Sequence, residues 1–161
     1  MTTISSQMAK HLRDVVFGGN WSVSNYQQVI RSIPVAWIHR SLQGSNSILT
    51  LFCHATYYIG VQLEVTKGNP LVAKDEWSFK TPEINTQEEW MQLLQEKMAQ
   101  TEELASLLET LPDEQWQAIF VQEKYGTWFR NFAGCIEHLH YHLGQIALIA
   151  TIIKREQEQA D

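Results

Sequence analysis

The feature that most constrains this chain is the stretch TQEEWMQLLQEKMAQTEELASLLETL, residues 86–111. Trp90, Leu93, Leu94, Met98 and Leu104 recur at helical spacing, which predicts a long amphipathic helix over 87–110. Thr86 and Glu89 stand three apart at its start, the spacing of a capping box. A helix of that length with one apolar face must bury the face against other helices or a sheet. No alternating strand pattern offers itself as the partner, and three further helical segments do. Residues 3–17 place Ile4, Met8, Leu12, Val15 and Val16 on one stripe and stop at Gly18-Gly19. Residues 46–66 form a second long helix, with Ser45 or Asn46 as cap and Gly68 just past the end. The last helix runs over about 131–157. Short helical pieces are expected before Pro34, over 34–42 and after Pro112. Residues 67–85 carry two prolines and no period, and read as a long surface loop. The segment VQEKYGTWFRN reads as loop or extended chain. The expected fold is all-α, a four-helix bundle with short accessory helices and a long loop near 67–86, in one domain over 1–161.

Composition narrows the function classes. Apolar residues make up 44% and charged residues 19% of 161 positions, enough to bury a core without staples. The net charge of −6 argues against nucleic acid, which needs a basic face. No apolar run is long enough to span a membrane. The N-terminus MTTISSQMAKHLRDVVF lacks a secretory pattern, and Cys53 and Cys135 make no disulfide framework. The expected compartment is the cytoplasm.

Three histidines crowd the last helix in IEHLHYHLGQI, residues 136–146. They alternate at period two, yet a helix turns each residue by about 100°. His138 and His142 therefore share a face one turn apart, and His140 points to the other side. An i, i+4 histidine pair is a standard presentation of two nitrogens to a metal, and it needs a third ligand from another element. His54 is the candidate: it sits mid-helix among apolar and aromatic residues. The alternative for His54 is a core histidine hydrogen-bonded to a backbone carbonyl. His11 and His39 neighbour Lys10, Arg13 and Arg40 and read as solvated; His140 is a surface residue or a dimer contact.

The neighbours divide in the same way. Tyr58 lies one turn after His54 and either lines a pocket or packs. Gln145, two turns after His138, is a supporting partner for a ligand or a core amide. Trp21 and Trp77 fall in loops that could wall a pocket. Glu137 is more suited to a surface ion pair than to a general base. Cys135, one turn before His138, is a fourth ligand or a buried apolar thiol, and Cys53 reads as core.

KYGTWFRNFAGCIEHLHYHLGQIALI, residues 124–149, resembles the C-terminal signature of the DinB/YfiT-like metalloenzymes. GGNW at 18–21, LFCHATYYIGV at 51–61 and AKDEWSF at 73–79 resemble one branch of them, in the same order. The resemblance implies an up-down-down-up four-helix bundle, usually homodimeric. It also implies a divalent metal held by three histidines, here His54, His138 and His142. The common pattern places Arg after the last histidine; here Leu143 stands there, so no role for that arginine carries over. Imidazole ligands suit zinc or nickel. Three ligands leave a position open for water or a thiolate. The implied activity is thiol-dependent transfer, with a low-molecular-weight thiol as partner, or hydrolysis of a small molecule. The rival reading is a non-catalytic dimeric bundle that binds metal or a small ligand.

Overall fold

A computed structural model describes residues 3–160. The order is α1 (Ile4–Phe17), α2 (Tyr26–Arg31), α3 (Ile48–Thr66), α4 (Asp75–Ser78), α5 (Gln87–Glu109) and α6 (Trp128–Glu158), with 3₁₀ turns at Val35–Trp37, Asp113–Gln117 and Glu123–Tyr125. Caps define the ends. Thr3 and Thr86 each close a capping box, and Ser47 and Thr127 accept from the backbone N–H three residues on. α1 stops where Gly18 and Gly19 take φ of 114° and 106°, a region costly for any residue with a Cβ.

Contacts fix the directions of the four long helices. Arg13 bridges Glu102 and Glu109, while Ser5 Oγ donates to the Leu111 carbonyl, so α1 and α5 run antiparallel. Phe52 packs edge-on against Trp90 at 5.2 Å between ring centres, and Lys67 pairs with Glu103, so α3 and α5 run parallel. Gln62 Nε2 donates to the Asn131 carbonyl, while His54 meets His142, so α3 and α6 are antiparallel. In chain order the helices go up, down, down, up, as expected. α3 packs against α4, α5 and α6, which explains why apolar residues occupy nearly all its faces and why its buried set runs almost unbroken from Ile48 to Thr56. No helix among the described residues is long and apolar enough to cross a membrane.

Several boundaries differ from the sequence reading. Ser47, not Ser45 or Asn46, caps α3; Ser45 Oγ instead closes a turn with Leu42. The helix expected over 34–42 shrinks to the single 3₁₀ turn Val35–Trp37. α6 begins at Trp128 rather than 131, because Thr127 caps it after a left-handed Gly126. The stretch before it is pinned by a single bridge between Ile119 and Thr127. The loop over 67–85 contains α4, whose four residues are too few to show a helical period.

Candidate metal centre

α3 and α6 cross so that His54 faces His138 and His142. His138 Nε2 lies 3.1 Å from His54 Nε2 and 3.0 Å from His142 Nε2. One ligand atom from each of the three falls within 4.8 Å of the others. His54 and His142 are buried and His138 is half-buried.

For two of the rings the far side decides which nitrogen carries the proton. His142 Nδ1 stands 2.7 Å from Gln145 Oε1. An amide oxygen only accepts, so His142 Nδ1 is the donor and its Nε2 holds a lone pair. Ser78 Oγ donates its one proton to the Asp75 carbonyl at 2.5 Å. It therefore accepts from His54 Nδ1, 2.7 Å away, and His54 Nε2 also holds a lone pair. Both lone pairs are turned toward His138 Nε2. A proton on that nitrogen can serve only one of them, and the remaining contact sets lone pair against lone pair. A divalent cation at the meeting point satisfies all three.

Energetics and spacing agree with that fit. Burial lowers the proton affinity of all three histidines, and in His138 the two neighbouring rings add to it, taking its pKa down to about 4. The rings are thus neutral, the form that ligates metal. Zinc–nitrogen bonds of 2.0–2.1 Å in a tetrahedron put ligand nitrogens about 3.3 Å apart, close to the observed 3.0 and 3.1 Å. Among the described residues the group holds three donors and no cysteine or carboxylate. That is the count of an open site rather than a closed structural one.

Three residues that sequence reasoning missed complete the surroundings, and all come from α4 and the residue after it. Ser78 orients His54. Phe79 stacks on the His54 ring at 4.2 Å between centres, 20° from parallel. Asp75 accepts from the Tyr58 hydroxyl at 2.9 Å, and its charge partly offsets the loss of basicity at His54 and His138. Burial, then the bond to Asp75, pushes the Tyr58 phenol up to about 12, so Tyr58 remains a donor. Among the sequence signals only the AKDEWSF string, 73–79, pointed here, through the family resemblance.

The other candidates separate cleanly. Gln145 bonds His142, and Tyr58 packs edge-on to His138 at 5.8 Å between ring centres. Trp21 does not wall the histidines: it is fully exposed, beside a different cavity shared with His11 and His140. Trp77 also faces away, toward Tyr57, Gly60 and Lys97, because a four-residue helix that presents Ser78 to His54 must turn its neighbour elsewhere. His140 Nδ1 bonds the Ile136 carbonyl, outside the group. Glu137 is exposed on the groove between α1 and α6, not at the histidines. Cys135 lies near His138, but burial pushes its thiol up to about 12, and it is not in the ligand group. Cys53 is buried core.

No curated protein and no solved structure matches the chain. The family model described as DinB superfamily matches residues 20–146, a span that contains α2 to α5, all three histidines and Gln145. With its helical bundle and its histidines drawn together from α3 and α6, the chain belongs to the DinB superfamily.

Proposed function

We propose that the protein is a metal-dependent enzyme, a transferase using a low-molecular-weight thiol or a hydrolase, with zinc or nickel held by His54, His138 and His142. The observation that carries this reading is the convergence of three neutral imidazoles, two with the tautomer fixed from outside by Ser78 and Gln145. When bound, the metal supplies a Lewis acid that turns water or a thiol into a nucleophile near neutral pH. The chain supplies the rest. Ser78 and Gln145 hold the ligand rings in place. Asp75, which accepts from the Tyr58 hydroxyl, is the carboxylate we assign to take the proton that the nucleophile would give up.

The molecule works as a homodimer in this account. Ile4, Met8, Phe129, Ala133 and Ile136 line an apolar groove between α1 and α6 that a second copy would cover.

The test is to load purified protein with cobalt and add thiols one at a time, then activated esters and amides. A sulfur-to-metal charge-transfer band identifies the thiol branch, and metal-dependent ester or amide cleavage identifies the hydrolytic branch. An unchanged spectrum together with no turnover above a His54→Ala control overturns the enzymatic reading and leaves a binding module.

A further inference from the structure

The histidine cluster meets two cavities, one with a charged side chain in its lining and one without. His138 and Tyr58 border one of about 250 Å³ that Arg130, Asn131 and Gln62 also line. His54, His142 and Gln145 border another of about 430 Å³. Leu42, Leu51, Phe79, Tyr141, Leu148 and Ile149 wall it together with the uncharged Ser45 and Asn46, and no Asp, Glu, Lys or Arg lines it among the described residues. Around its mouth Tyr141 is 63%, Leu148 58% and Phe79 41% exposed. Three large side chains held out in water beside one opening, above two metal-ligating rings, are an arrangement that core packing does not need.

We infer that this larger cavity seats the substrate and selects an uncharged apolar group, aryl or alkyl, whose polar end reaches the metal. The inference rests on the metal centre proposed above and adds the substrate class. The charge balance supports it. A charged substituent entering here would shed water with no counter-charge on the wall to replace it. An apolar group would instead cover Leu148, Phe79 and Tyr141 and gain their burial. Gln145 and the two histidine rings stand on the metal side, and the other polar groups that reach the cavity, Ser45, Asn46 and the Tyr141 hydroxyl, are uncharged.

The test uses three metal-binding probes that share one head: acetohydroxamate, benzohydroxamate and 4-carboxybenzohydroxamate. Each is titrated calorimetrically into protein whose bound metal has been measured first. Covering a phenyl ring is worth about tenfold or more in affinity at the usual apolar transfer coefficient. Benzohydroxamate should therefore bind about tenfold tighter than acetohydroxamate, and the carboxylated probe should lose that gain. Leu148 is an exposed helix position, so Leu148→Asp leaves the fold and the metal content intact. It should erase the benzohydroxamate advantage while acetohydroxamate binds as before. Trp21→Ala, at the unrelated cavity, should change nothing. Equal affinity of the first two probes for metal-loaded protein, or an advantage that survives Leu148→Asp, overturns the substrate class and leaves the metal centre standing. A chain that takes up no metal fails at the preceding measurement and overturns both.

Discussion

Gln145 accepts the Nδ1 proton of His142 at 2.7 Å, one helical turn along α6, and so turns the His142 Nε2 lone pair toward His54 and His138. The relationship fixes a tautomer with a residue on the same helix. Substitution of Gln145 by Leu keeps the side chain's size but frees the ring to turn and to shift its proton. Partners of this kind are worth about 10–100-fold in metal affinity. Gln145→Leu and Ser78→Ala should each weaken metal binding by that factor in competition with a chelator, with the fold intact by circular dichroism. Unchanged affinity in both would mean that the rings are held by packing alone.

The lowered histidine pKa values set a pH window. In the metal-free protein His138 stays neutral down to about 4, while an unfolded histidine takes up its proton near 6.5. Between those values the unfolded chain binds more protons than the folded one, so stability falls as pH drops from about 6.5 toward 4. His54 and His142 shift in the same direction. Denaturant melts of metal-free protein at pH 7, 5.5 and 4.5 should show the decline. His138→Ala should flatten it. A decline equally steep in that variant would place the titrating groups elsewhere.

Most of the bundle was legible because its long helices repeat a period over many turns. The stripe of α1, the capping box of Thr86 and Glu89, and the i, i+4 relation of His138 and His142 are all local facts of the chain. The pairing of His54 with α6 was legible from an imidazole among apolar neighbours only as a suspicion, and otherwise through the family resemblance. α4 was not legible at all. Four residues cannot show periodicity, and the position of Ser78, Phe79 and Asp75 depends on how the loop over 67–85 folds back on α3. The same dependence misled the reading of Trp21 and Trp77: a tryptophan in a loop carries no sign of the direction it faces. Tyr58 and Gln145 were easier to place, because helix spacing alone sets them one turn after His54 and two turns after His138.

Asp75 separates metal binding from chemistry. Asp75→Asn keeps the shape and the Tyr58 contact but removes the proton acceptor. The variant should hold its full metal complement and lose about 10²-fold or more in the rate of metal-dependent cleavage of 4-nitrophenyl acetate or thiol transfer. Tyr58→Phe, which only loosens the carboxylate, should lose less. Full activity in Asp75→Asn would remove Asp75 from the mechanism without touching the metal site.

Assembly can be tested through the groove of α1 and α6. Light scattering at micromolar concentration should give about twice the mass of one chain. Phe129, 47% exposed in that groove, is the position to alter: Phe129→Asp should yield monomer. A monomeric parent protein over the same range would dismiss the dimer.

His54, His138 and His142 are proposed to hold one metal together, without His140. The direct measurement is bound metal per chain for His54→Ala, His138→Ala, His142→Ala and His140→Ala, purified alike. Removing one of three imidazoles leaves a two-ligand site, and affinity follows ligand number and identity. The account predicts loss of most bound metal in the first three variants and full retention in His140→Ala, whose ring bonds the Ile136 carbonyl instead. Full metal in the His54, His138 or His142 variant, or loss confined to His140→Ala, would contradict it.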